Sequence, residues 1–176
     1  MVLDGGRPVR VREMVPGDAA AVLEVYAQGL ATGTATFETQ VPDWPRWDAG
    51  HLPAPRPVAV HGPVDAEAGL LGWAALSPVS DRCVYAGVAE VSLYVAERAR
   101  GRGVGRRLLG ELAVRSEEIG LWTLQAGILA VNEASVTLHR AAGFRLVGRR
   151  ERLGRLDGRW HDVLLLERRS TVAGQD

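Results

Sequence analysis

The residues with the clearest chemical potential form a short run, Arg100-Gly101-Arg102-Gly103-Val104-Gly105, followed at once by Arg106 and Arg107. Glycines at this density keep side chains away from the main chain. Where such a run opens a helix, its N–H groups point outward, ready for phosphate oxygens. The arginines add positive charge, so a pyrophosphate with a further phosphate on its ribose is well matched. Coenzyme A has that anionic profile. Other readings of a Gly-rich run stay open at this point. The Lys-Ser/Thr pair of a P-loop is missing, Arg106 stands where a dinucleotide fingerprint has its last glycine, and the run lies mid-chain. An RNA-binding arginine patch or a plain turn would use the same residues.

A loop of this kind needs a strand before it and a helix after it, and the pattern supplies both. Val88 to Val95 reads as a central strand; Val104, Leu108, Leu109, Leu112, Ala113, Ser116 and Ile119 mark an amphipathic helix that Gly120 can stop. Upstream, Pro8 to Arg12 alternates as a half-buried strand. Asp18 can cap a helix carrying Ala21, Val22, Val25, Tyr26 and Leu30 on one face. Thr32 to Asp48 reads as a loop with a short helix near Trp44 and Trp47, and such loops often line sites. Val58 to Val60 and Gly69 to Leu76 read as a hairpin joined by Gly62 to Glu67. Trp122 to Val131 is strand-like, Glu133 to Ala142 is a short helix, and Phe144 to Arg150 and Asp162 to Glu167 close as strands around Asp157-Gly158. This order predicts an α/β (α+β) fold with one mixed sheet covered by helices; the crossover helix after the fourth strand implies a parallel neighbour.

The 176 residues, 47% hydrophobic and 24% charged, match one domain spanning 1–176 with its core at about 8–169. Acidic and basic side chains balance at 21 each, which removes any overall electrostatic drive toward nucleic acid or an anionic membrane. Lys is absent, so any anion contact is an Arg contact. Cys83 is the only cysteine and reads as a small apolar residue. No apolar run approaches the ~20 residues of a membrane span. The expectation is a cytoplasmic protein with no metal, no nucleic-acid partner and no membrane partner.

Arg100, Gly103 and Gly105 fit Arg/Gln-x-x-Gly-x-Gly/Ala, and Asn132, Ser135, Leu138, His139, Gly143 and Phe144 fit Asn-x-x-Ala/Ser-x-x-Leu-Tyr followed by Gly-Phe, with His in the Tyr place. In these two motifs the chain resembles the GNAT superfamily of N-acetyltransferases. A closer resemblance, over nearly the whole chain, is to its phosphinothricin acetyltransferase-like branch, which covers methionine sulfoximine and arsinothricin acetyltransferases. It is carried by Thr34-Ala35-Thr36-Phe37-Glu38, by Arg82 to Tyr85 with Glu90, by Asn132 to Phe144, and by Gly158-Arg159-Trp160-His161-Asp162. The resemblance implies a mostly antiparallel sheet of six to seven strands with a splayed parallel pair and about four flanking helices. It also implies acetyl-CoA as co-substrate, a small amine as acceptor and a homodimer.

The branch implicates a Glu at the place of Glu90 and a His at the place of His139 in catalysis. An amine attacks a thioester only when unprotonated, so Glu90 is expected to take its proton, directly or through water, with burial raising the carboxyl pKa toward a useful value. His139 is expected to protonate the leaving thiolate or relay the amine proton; its ordinary pKa of ~6.5 suits either task. A backbone N–H of Leu93, Tyr94 or Val95 would stabilise the oxyanion, and the same strand would pair with the pantetheine arm. Arg100, Gly101, Arg102, Gly103, Val104, Gly105 and Arg106 would hold the phosphates, with Asn132 and Ser135 across from them. Thr36, Phe37, Arg82, Tyr85 and Trp160 are the expected substrate-binding set, Arg82 clamping a carboxylate. The branch often has Arg after the aromatic matching Tyr85, whereas this chain has Ala86. Acetylation of a peptide N-terminus, polyamine or aminoglycoside, or acyl-CoA binding without turnover, are the alternatives.

Overall fold

The structure, a computed structural model, describes residues 2–3, 7–61 and 69–175. The connection expected at Gly62 to Glu67 lies outside the described residues. Among the described residues eight strands form one sheet in the order β1-β2-β3-β4-β5-β6-β8-β7. They are β1 (Val2–Leu3), β2 (Arg7–Glu13), β3 (Pro57–His61), β4 (Leu70–Pro78), β5 (Val88–Val95), β6 (Thr123–Leu129), β7 (Arg145–Leu156) and β8 (Arg159–Arg169). The two-residue β1 was not anticipated; the other seven match the expected count. Four α-helices accompany them: α1 (Ala19–Leu30), α2 (Trp44–Ala49), α3 (Val104–Glu118) and α4 (Glu133–Ala141).

All pairings are antiparallel except β5 with β6. That parallel ladder is short: Val88 faces Thr123, Ala89 faces Leu124, Glu90 faces Gln125, and there it ends. On its other edge β5 stays paired with β4 all the way from Ala89 to Val95. The two strands therefore part beyond Glu90, and the main chain of β5 is left with an unpaired edge facing the gap.

The central strands are buried on both faces, β4 along nearly its whole length. Neighbouring residues of β5 show how the layers lie. Tyr94 meets Gly29 of α1, whereas Leu93 and Val95 meet Gly105 of α3, so the two helices cover opposite faces of the strand. On the α1 face Tyr26, Trp47, Trp73 and Tyr94 form one aromatic cluster, with Trp73 stacked on Tyr94 at 4.9 Å and Trp47 edge-on to Trp73 at 5.1 Å. On the α3 face Leu108, Leu109 and Leu112 are fully buried. Truncating one of these to Ala would cost about 2–5 kcal/mol.

The last hairpin runs longer than the expected strands at Phe144 to Arg150 and Asp162 to Glu167. β7 is an edge strand whose residues are mostly exposed, so polar residues are tolerated on both of its faces and leave no alternation to read. The turn falls where expected, with Asp157 and Gly158 both at positive φ, as a two-residue hairpin of primed type requires. A register shift between Arg150 and Gly154 is pinned by Asp162, which accepts from the Arg152 N–H and the Arg149 guanidinium. Asp162 thus serves the hairpin.

Candidate active site

Two positive-φ glycines turn the chain from β5 into α3: Gly101 at 70° and Gly103 at 75°. Gly103 is the N-cap, and no side chain caps the helix behind it, so the first amides of α3 are open to an external acceptor. Gly105 is needed for a different reason. A Cβ there would stand 3.0 Å from Leu138 and 3.4 Å from Val95, the contacts that seat α3 against α4 and β5.

These residues line a cleft of about 580 Å3 that runs along the unpaired edge of β5. Leu93, Tyr94, Val95, Arg100, Gly101, Gly103, Val104, Gly105 and Arg106 form one side, and Asn132, Ser135 and Leu138 the other. Arg100 also braces the loop, donating from Nε to the Val95 carbonyl (3.2 Å) and from Nη2 to the Gln28 carbonyl (3.1 Å). Arg102, expected beside the phosphates, is exposed and does not line this cleft. Asn132 caps α4 by accepting from the Ser135 N–H, and its amide donates to the Thr34 carbonyl, tying the loop after α1 to the cleft.

The cleft continues into the gap between β5 and β6, a space of about 220 Å3 lined by Thr36, Phe37, Glu90, Ser92, Tyr94, Gly127, Ser135 and His139. Here Glu90 Oε1 accepts from the Gly127 N–H at 2.7 Å and Oε2 accepts from the Gln125 amide at 2.5 Å.

His139 is 3% exposed. Its Nδ1 lies 2.9 Å from the Ser135 carbonyl, which can only accept, so Nδ1 carries the hydrogen and Nε2 the lone pair. Among the described residues Nε2 has no hydrogen-bond partner. Burial lowers the imidazole below its ordinary value, against the opposing pull of the Ser135 carbonyl. The ring is therefore neutral near pH 7 and suited to accept a proton; the donor role expected from an ordinary pKa is disfavoured by that burial. Tyr94 is pushed strongly upward, first by burial and then by Tyr26, so its phenol stays protonated.

A third cleft, about 340 Å3, opens on the α1 face and shares Thr36, Ser92 and Tyr94 with the second. Its further lining includes Tyr26, Glu38, Arg46, Trp47, His51 and Trp73. Trp47 is 3% exposed and its indole N–H has no acceptor among the described residues. Thr36 and Phe37 are brought to the gap as expected. Phe37 is seated against Gly154, where a Cβ would stand 2.5 Å from its ring, and edge-on to His161. Arg82, Tyr85 and Trp160 are elsewhere: all three are exposed, Arg82 lies over the Tyr85 ring at 5.7 Å, and none lines these three clefts. Arg46, Trp47, Ser92 and Gln125 were not foreseen as site residues. Only the Trp44/Trp47 pair in a polar loop signalled that anything was built there. Among the described residues no cluster of three or more His, Cys, Asp or Glu is placed to hold a metal, and no helix is long and apolar enough to cross a membrane.

The model of the acetyltransferase (GNAT) family matches residues 30–144, a span that holds the parting strand pair and the glycine-opened helix. The chain belongs to the GNAT family. Among curated proteins, this GNAT chain is 36% identical over 172 residues to a phosphinothricin N-acetyltransferase of Streptomyces coelicolor, covering 94% of this chain and 99% of the relative. It is 31% identical to an L-methionine sulfoximine/L-methionine sulfone acetyltransferase of Pseudomonas paraeruginosa, covering 89% and 92%. Among solved structures, a GNAT phosphinothricin acetyltransferase from Sinorhizobium meliloti in complex with acetyl-CoA superposes with a TM-score of 0.83 at 29% identity, covering 96% of this chain and 91% of that one. The protein is an acetyl-CoA-dependent GNAT N-acetyltransferase that moves the acetyl group to an amine. The uncapped start of α3 and the open edge of β5 fit the diphosphate and the pantetheine arm of that co-substrate.

Proposed function

We propose that the acceptor is a small amino-acid-like molecule of the phosphinothricin, methionine sulfoximine or arsinothricin type, acetylated on its primary amine by direct transfer in a ternary complex. The observation that carries this is the meeting of two clefts at Thr36, Ser92 and Tyr94, one along β5 and one on the α1 face. An amine entering from the α1 side reaches a thioester arriving from the α3 side without any covalent relay. In this reading Glu90 takes the proton that the attacking amine loses, and an N–H on the open edge of β5 receives the developing oxyanion. His139 Nε2 accepts a proton in the relay, and Ser135 orients it.

Arg46 and the buried Trp47 N–H supply donors for an anionic end of the acceptor, and Glu38 faces its cationic end. Arg82, Tyr85 and Trp160 would join only if a second copy or a moving loop carried them to the cleft. A homodimer belongs to the same reading, supported by the exposed Leu146, Val147 and Leu153 on edge strand β7 and by exposed Trp160. So do work in the cytoplasm, where acetyl-CoA is made, and a role in detoxifying amino-acid mimics.

The test is a panel of amines incubated with acetyl-CoA and a thiol-detecting reagent. Turnover is expected with methionine sulfoximine and related amino acids, and little with spermidine or kanamycin. Preference for a peptide N-terminus or a polyamine would replace this acceptor class with another.

A further inference from the structure

The ladder between β5 and β6 stops at the pair Glu90 and Gln125, and the side chains of that same pair are hydrogen-bonded to each other. A continued parallel ladder would direct the Gly127 N–H to main chain of β5. Instead that N–H is accepted by Glu90 Oε1. The carboxylate thus stands where the next rung would be, satisfying a β6 donor while keeping the strands apart. Its other oxygen is held by Gln125, whose amide must present NH2 because a carboxylate only accepts. Gly127 leaves the room required: a Cβ there would lie 3.3 Å from Oε1.

We propose that Gln125 is a positioning residue. It and the Gly127 N–H fix Glu90 as a wedge that keeps the acyl-carrier gap open, so that one carboxylate serves both the shape of the cofactor cleft and the reacting amine. The second half rests on the proposed proton-accepting role of Glu90; the first half does not.

The two halves separate experimentally in the full-length protein, with acetyl-CoA affinity measured by calorimetry and turnover measured on the best amine of the panel. Gln125→Leu removes the donor to the carboxylate and should lower kcat about tenfold with little change in amine KM. Gln125→Glu sets a second carboxylate against Glu90 and should weaken acetyl-CoA binding about tenfold as the wedge is displaced. In the exchange Glu90→Gln with Gln125→Glu, the new amide at 90 donates to the carboxylate at 125 and its oxygen still accepts from Gly127. This exchange should restore acetyl-CoA affinity to within about twofold of the parent while turnover stays as low as in Glu90→Gln alone.

Parental affinity and turnover in both single variants would overturn the proposal, and so would an exchange that fails to recover the affinity lost in Gln125→Glu. A residue that merely stabilised the sheet would lower the melting temperature and leave kcat of the folded enzyme intact, again against the proposal. If Gln125→Glu does not fold, Gln125→Met keeps the length without the donor and carries both readouts. If the parent acetylates no amine in the panel, the acceptor reading fails, and the affinity measurements alone still decide the wedge.

Discussion

The two sides of β5 are built from different material. On the α3 side the cleft is made of main chain: two positive-φ glycines, an uncapped helix start and an unpaired strand edge. On the α1 side it is made of side chains, with Thr36, Glu38, Arg46 and Trp47 set against the ring of Tyr94. Main-chain donors serve any acyl carrier with the same diphosphate and are insensitive to most substitutions. Of the side chains, Thr36 and Glu38 on the loop and the exposed Arg46 on α2 can be exchanged one at a time without disturbing the sheet. One half of the enzyme is therefore generic and the other particular, and the boundary between them runs along a single strand.

The sharpest way to break this division is at Glu90, which stands on it. Glu90→Gln keeps the contact to Gly127 and should hold acetyl-CoA with unchanged affinity while kcat falls about 100-fold or more. Stopped-time thiol release beside calorimetry checks this, and undiminished turnover would remove Glu90 from the chemistry. Next in size is Gly103→Val. A β-branched residue at φ of 75° carries strain of about 1–2 kcal/mol and crowds the first amides of α3. Acetyl-CoA should bind roughly tenfold more weakly or worse, with KM for the amine unchanged once the carrier is saturating.

On the particular side, Arg46→Met should raise KM for a carboxylate-bearing amino acid about tenfold and leave that of its amide alone. Equal effects on both compounds would mean that the anionic end lies elsewhere. The smallest effect concerns His139. Its folded-state pKa is lowered by burial, so below about pH 6.5 the unfolded chain takes a proton that the native state refuses. Stability present above that pH is lost as the pH falls, and His51, also lowered by burial, shares in the loss. His139→Gln should reduce the slope of melting temperature against pH between about 6.5 and 5.5. The free energy involved is at most about 1.4 kcal/mol per pH unit.

The same division explains what could be read in advance. The α3 side was legible because Gly101 and Gly103 are required by backbone geometry, and geometry of that kind is local in the chain. Strands β4 and β5 were legible because burial leaves a pattern. Arg46 and Trp47 were not legible as site residues, since their significance depends on Trp73 and Tyr94, which arrive from distant strands. Glu90 shows the limit most clearly. Its resemblance to a family position marked it, but its bonds to Gln125 and Gly127 come from a strand 35 to 37 residues away. The far end of β7 escaped because an arginine-rich edge strand with a register shift shows no regular alternation of apolar and polar residues.

Helix α3 begins on a glycine with nothing to finish its first turn. A diphosphate bound there, as the proposed reading has it, would complete a secondary-structure element as well as dock in a cleft. Carrier occupancy and the local integrity of residues 103–106 would then become one quantity. Amide exchange in that turn should slow in step with saturation, which makes the protein its own reporter of acetyl-CoA supply.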